Sequence, residues 1–120
     1  MSEIRPKTII CDIDGTLVKH FPPCKNTDDG VDLELLPGTI EKLMEWDIKG
    51  YNIVLITGRR ESMRSATEKQ LSKLGIFYDK LIMGIGGGDR YLINDKKPNG
   101  RDTTFSINLP RNEGISSIDI

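Results

Sequence analysis

Residues 8–17 read Thr-Ile-Ile-Cys-Asp-Ile-Asp-Gly-Thr-Leu, and no other string in the chain limits the fold so tightly. Ile9, Ile10 and Cys11 are consecutive apolar residues, the mark of a parallel strand buried on both faces, and Asp12 and Asp14 follow where that strand should end. Residues two apart in an extended chain point to the same side, so the two carboxylates converge at the edge of a core, where their repulsion is costly. A bound divalent cation would offset that repulsion; an acid-rich turn capping the strand is the plainer alternative. Gly15 permits a tight backbone exit and Thr16 supplies a hydroxyl.

The rest of the chain supplies partners for this strand. Ile40, Leu43, Met44 and Ile48 recur at helical spacing behind Pro37, and Gly50 follows as a stop, which predicts a helix over 38–49 with Trp46 at the edge of its apolar stripe. Residues 52–56 form a second apolar run ending at Thr57-Gly58-Arg59. Strand, helix, strand in that order is a right-handed parallel crossover. A second helix is expected over 61–74, with Met63, Thr67, Gln70 and Leu71 on its inner side and Gly75 as its stop, then a strand over 80–83. Gly84, Gly86, Gly87 and Gly88 do not match the spacing of a nucleotide-binding loop and read as a connection. That connection is short for a parallel crossover, yet residues 90–93 and 104–109 carry the composition of two further strands. Ile115, Ile118 and Ile120 should dock on the body or on a partner.

The expected architecture is a single α/β domain over residues 1–120: a three-layer α/β/α arrangement around a mostly parallel, Rossmann-like sheet of about five strands. Residues 18–36 are polar and turn-rich, too few for a second core, and read as a flap; solvated acids are the better account of Asp28, Asp29 and Asp32.

Asp12-Ile13-Asp14-Gly15-Thr16-Leu17 after an apolar strand resembles the first signature of the haloacid dehalogenase-like (HAD) phosphatase superfamily. The resemblance implies that Asp12 is the nucleophile, forming an aspartyl-phosphate, and that Asp14 is the general acid and base. The division is chemically sound, because an ionised carboxylate needs no base to activate it whereas an alkoxide leaving group needs a proton. Mg2+ would hold Asp12 and a phosphate oxygen together. Thr57-Gly58 resembles the second signature, so Thr57 is expected to donate its hydroxyl to a phosphate oxygen and Gly58 its backbone N–H, with Arg59 or Arg60 clamping the substrate phosphate.

Asn94-Asp95 resembles the fourth signature, with Asn94 where many members carry the first acid. The implied Mg2+ ligands are Asp12, Asp14 through its carbonyl, and Asp95, with Asn94 orienting a bound water or replacing a direct ligand. The third signature is a lysine that offsets the charge of nucleophile and phosphate. Lys80, Lys96 and Lys97 are its candidates, and Lys97, just beyond Asp95, is the choice. Residues 57–67 are loosely similar to the phosphatase half of polynucleotide kinase-phosphatases. The resemblance to a small member without a cap implies an open cleft, hence a large phosphorylated substrate or a homo-oligomer that supplies a lid.

Net charge of −1, from 17 basic and 18 acidic residues, argues against extensive binding along a nucleic-acid backbone. The polar start and the lack of a long apolar run point to a cytoplasmic protein away from the membrane. Cys11 reads as a core residue, Cys24 as an incidental loop thiol, and His20, the one histidine, as a loop residue. The function expected is therefore a Mg2+-dependent phosphomonoester hydrolase working through Asp12. A nucleic-acid 3′-phosphatase and a catalytically idle binding domain are the alternatives.

Overall fold

A computed structural model describes residues 5–20 and 33–120. In chain order the elements are β1 (Thr8–Asp12), α1 (Thr39–Ile48), β2 (Asn52–Ile56), a 3-10 turn (Glu61–Met63), α2 (Arg64–Lys73) and β3 (Lys80–Ile82). The strands form one parallel sheet in the order β1-β2-β3. Its register pairs Thr8 with Asn52 through Asp12 with Ile56, and Val54 with Lys80 through Ile56 with Ile82. The parallel α/β architecture read from the sequence is the one observed.

Alternation along the strands divides the sheet into two unlike faces. Ile9, Cys11, Ile53, Leu55 and Leu81 join Leu43 and Trp46 of α1 and Leu71 of α2 in one buried cluster. On the other face Ile10 and Ile82 are 49% and 45% exposed. Burial of β1 on both faces is therefore corrected. The strand order advances one way, and α1 and α2 share one buried cluster with the inward strand residues, so both helices cover the same face.

The structure also corrects the helices. α1 turns Thr39, Leu43 and Trp46 inward while Met44 and Ile48 face outward, so Trp46 sits inside the core and not at the edge of a stripe. A left-handed Gly38 opens α1 (φ 86°) without a side-chain cap. The Thr39 hydroxyl is shared between the carbonyls of Leu17 (2.7 Å) and Leu36 (3.0 Å), tying the helix start to the loop after β1. The second helix begins as the 3-10 turn and becomes α-helical only at Arg64.

The largest difference lies after β3. Residues 90–93 and 104–109 are not strands, and the described sheet has three strands where about five were expected. Tyr91 and Ile93 are 87% and 92% exposed, with Leu92, Phe105 and Ile107 also in solvent. A parallel return needs a dozen or more residues, and 84–89 is half that, so the apolar run that follows does not come back alongside the sheet. Residues 91–109 form an arm closed by its own turn. Lys97 N–H donates to the Arg101 carbonyl (2.9 Å), Gly100 N–H to the Lys97 carbonyl (2.8 Å), and the Thr103 hydroxyl to the Asp95 carbonyl (2.6 Å).

The chain then returns. Asn112 N–H donates to the Gly15 carbonyl (2.8 Å), while its side-chain oxygen accepts the N–H of His20 (2.7 Å). Ile115 is fully buried, and Ile118 and Ile120 pack against the core, so the docking of the tail is on the body. Val18 bridges Asp14 on one side and Leu35 on the other, closing the root of the expected flap. The flap beyond it, with Cys24, Asp28, Asp29 and Asp32, lies outside the described residues.

Candidate active site

The carboxyl end of a parallel sheet is where such folds place their chemistry, and the polar residues of this chain gather there. Asp12 is the last residue of β1, with its side chain 35% exposed. The Thr16 hydroxyl lies 3.5 Å from one carboxylate oxygen and Arg90 Nη1 3.7 Å from the other. Burial raises the pKa of Asp12 above the ordinary carboxylate value, and the charge of Asp14 adds to this; Arg90, the Ile13 N–H and Thr16 pull it back. Its neighbour Cys11 points into the core. Burial, then the charge of Asp12, pushes that thiol up to about 12, so it stays protonated and unreactive.

Asp14 is held from behind. Arg59 Nε donates to one of its oxygens (3.0 Å) and Nη2 to the other (2.8 Å), a bidentate pair that fixes the plane of the carboxylate. Nη1 of the same guanidinium donates to Gln70 Oε1 (2.7 Å) and Thr67 Oγ1 (3.2 Å) on α2. All three nitrogens are thus committed to protein groups, and the side chain is only 5% exposed. The expectation that Arg59 clamps a substrate phosphate gives way to a positioning role behind Asp14.

Thr57 closes β2, buried, with its hydroxyl oxygen accepting the Arg59 N–H (3.1 Å). The glycine-rich connection lies along this turn. Gly84 N–H donates to the Arg59 carbonyl (2.8 Å), and a Cβ on Gly58 would stand 2.8 Å from the Gly86 carbonyl oxygen. Gly58 is therefore required by a close approach of backbone to backbone. The same approach delivers Arg90, whose Nη2 donates to the Gly86 carbonyl (3.2 Å) while Nη1 reaches Asp12.

Arg90 is the residue that sequence reasoning missed. It read as the start of a strand, and only the fold of the glycine connection makes it a neighbour of Asp12. The lysine candidates lie elsewhere: Lys80 at the amino end of β3, Lys96 paired with Asp102 (3.2 Å), and Lys97 in the turn of the arm. Asp95 is also in the arm, exposed, and Asn94 donates to Thr103 (2.8 Å). Among the described residues no group of three or more His, Cys, Asp or Glu is arranged to hold a metal ion. Asp12 offers a partly open carboxylate, and the exposed Asp95 is not grouped with it, so the described residues do not assemble the expected carboxylate pair for Mg2+.

The family model of the polynucleotide kinase PNKP phosphatase domain matches residues 6–91 of this chain. The match ends before Asn94, Asp95 and Lys97. Among solved structures, a chain of the Pnkp1/Rnl/Hen1 RNA repair complex is 36% identical with a TM-score of 0.55, over 65% of this chain and 25% of that one. A second structure of the Pnkp1/Rnl/Hen1 complex gives 34% identity and a TM-score of 0.57, over 72% and 30%. This chain thus spans between a quarter and a third of those relatives. A protein from Vibrio cholerae shares the fold at 24% identity and a TM-score of 0.52, over 73% and 79%. No curated protein matches the sequence.

Proposed function

The chain belongs to the polynucleotide kinase phosphatase-domain family of HAD-like phosphatases, and from that membership we propose that it hydrolyses phosphomonoesters through an aspartyl-phosphate on Asp12. An Asp12 oxygen attacks phosphorus as the ester P–O bond breaks, and Asp14, protonated, gives its proton to the departing oxygen. Water then attacks the phosphorus of the acyl phosphate; Asp14 takes the proton, and inorganic phosphate leaves Asp12 as a free carboxylate. Atoms and charge balance without a further reactant.

The observation that carries this reading is the openness of Asp12, which stands partly exposed with one cation at 3.7 Å, as a nucleophile must. Asp14 is held at both oxygens by Arg59, so it must turn out of that pair to carry a proton to the leaving oxygen. Arg90 supplies the positive charge that the family's lysine would supply, opposing the repulsion between carboxylate and phosphate. The Thr57 hydroxyl and the Gly58 N–H are the proposed donors to phosphate oxygens. One domain without a cap fits this open edge. A Mg2+ requirement belongs to the family reading, with the partly open Asp12 carboxylate as the ligand this edge would offer.

A second reading narrows the substrate. The match to a polynucleotide kinase phosphatase domain favours a phosphate at the end of a nucleic-acid strand, which needs contact with one terminal nucleotide and not a long basic track. Assay of phosphorylated sugars, nucleotides and 3′-phosphorylated oligonucleotides, with Mg2+ and with EDTA, tests both readings. Phosphate release lost with EDTA supports the first, and preference for the oligonucleotide the second; a wild type inert throughout would leave an idle binding domain. No helix among the described residues is long and apolar enough to cross a membrane.

A further inference from the structure

The turn that follows β1 is closed from two sides. On the inner side the Ile13 carbonyl accepts the N–H groups of Thr16 (3.2 Å), Leu17 (2.9 Å) and Val18 (3.2 Å), and Gly15 N–H donates to the Val18 carbonyl (2.7 Å). On the outer side the closure comes from the far end of the chain. Asn112 N–H donates to the Gly15 carbonyl and its side-chain oxygen accepts the His20 N–H, so one residue grips the turn and its exit together. Gly15 is buried, and a buried carbonyl needs such a partner. It also stands at φ 90°, a conformation that glycine enters and leaves freely, so its surroundings must hold it there. Arg111 is part of those surroundings: a Cβ on Gly15 would stand 3.2 Å from Arg111 Cγ.

The grip is costly, and it is anchored. Among the described residues Asn112 alone combines a side chain with a positive φ, 65°. Asparagine tolerates left-handed backbone better than most residues; such conformations persist where the surrounding structure imposes them, and they gather at functional sites. Three residues on, Ile115 is fully buried and its N–H donates to the Pro37 carbonyl (2.9 Å), so the tail cannot slide along the loop it holds. This segment lies beyond residues 6–91, which the family model matches. What the gripped turn carries is chemical. Asp14 directly precedes Gly15, and Thr16, whose hydroxyl lies 3.5 Å from Asp12, directly follows it. Asp14 has to leave Arg59 for the leaving oxygen, and the swing is accurate only if its backbone stays still.

We propose that Asn112 is a positioning residue for phosphate transfer. By fixing the backbone at Gly15 it keeps Asp14 in place while the carboxyl turns from Arg59 to the ester oxygen, and so it acts on proton transfer without touching the substrate. The fastening of the turn rests on geometry alone. The kinetic role rests on the phosphatase reading of Asp12 and Asp14.

Two variants of the full chain test it. Asn112→Gly keeps the positive φ and the backbone donor but removes the acceptor for His20; Asn112→Asp keeps all three. An alkoxide needs a proton as its P–O bond breaks, whereas 4-nitrophenolate departs as the anion. The ratio of kcat/KM for an alkyl phosphate to that for 4-nitrophenyl phosphate should therefore fall about tenfold in Asn112→Gly and stay within about twofold of wild type in Asn112→Asp. An unchanged ratio in Asn112→Gly, or the same fall in Asn112→Asp, overturns the positioning role, because lost stability alone slows both esters alike. Amide hydrogen exchange judges the fastening without activity. Residues 15–18 should exchange about tenfold faster in Asn112→Gly while Leu55 of β2, as internal reference, keeps its protection. Equal protection of the turn in both proteins, or a matching loss at Leu55, overturns the fastening. A wild type inert on both esters strikes at the phosphatase reading and removes the kinetic role with it, while exchange still decides the fastening.

Discussion

The turns at the ends of β1 and β2 and the arm beyond β3 begin from similar sequence and end in opposite environments. Ile9-Ile10-Cys11 and Tyr91-Leu92-Ile93 are both short apolar runs followed by polar residues that include aspartate. The first is flanked by a strand that returns through a helix, so its odd residues enter the core and its aspartates are met by Thr16, Arg59 and Arg90. The second follows a connection too short to return in parallel, and its side chains stand in solvent. An apolar run states a demand for burial; connection length decides whether its own chain can meet it.

Four tests break or sharpen this contrast. Asp12→Asn has the largest effect: phosphate release should fall to background in a folded protein, because an amide cannot form the acyl phosphate. Turnover in a purified, folded variant would remove the covalent role of the first region. Next, Arg59→Ala should cost about 3–5 kcal/mol in urea denaturation, since it strands Asp14 as well as Thr67 and Gln70, and Arg59→Lys should recover only part. A loss under about 1 kcal/mol would show that Asp14 does not depend on its partner.

The third test sets like against like. Leu55 is fully buried and Leu92 is exposed, so Leu55→Ala should cost about 2–5 kcal/mol and Leu92→Ala about 0.5 kcal/mol or less. Equal losses would mean that the arm is packed within its own chain. The last test is Arg90→Ala, expected to lower kcat/KM about tenfold by removing one charge-stabilising group, with Lys80→Ala near normal.

The pH profile gives Arg90→Ala a second readout. Burial holds the pKa of Asp12 above its ordinary value and Arg90 opposes this, so the acid limb of kcat/KM should lie above the usual carboxylate range and move higher without the arginine. The linked stability has a definite sign. Below the unfolded pKa, about 3.9, Asp12 is protonated in both states and costs nothing; as pH rises through the raised folded pKa, ionisation counts against the folded state. Asp12→Asn should therefore match the wild type near pH 3 and exceed it in stability at neutral pH.

What could be read from the sequence was local. The strand, the turn and the spacing of Asp12 and Asp14 lie within one stretch, and Gly58 follows its own strand directly. Trp46 was misplaced because helical spacing leaves the rotation of an apolar stripe loose by about one residue when several neighbours are apolar. Arg59 looked like a surface arginine at a helix start. A signal was present in Thr67 and Gln70, polar residues on the inner side of α2 that needed a buried donor, and Arg59 is that donor. Arg90 left no such trace, since its meeting with Asp12 depends on how Gly84 to Gly88 fold over Gly58.

The tail has a consequence for the order of folding. Asn112 fastens the loop that follows β1, joined to His20 across 92 residues of chain, and Ile115 fills the core beside the start of α1. Contacts so distant in sequence close late, after nearer ones have reduced the entropy of the loop between them. During synthesis the segment bearing Asp12 emerges before residues 112–115, so the loop behind it is fastened only once those residues have left the exit tunnel. The turn beside Asp12 is thus completed by residues far downstream of the strand that carries it.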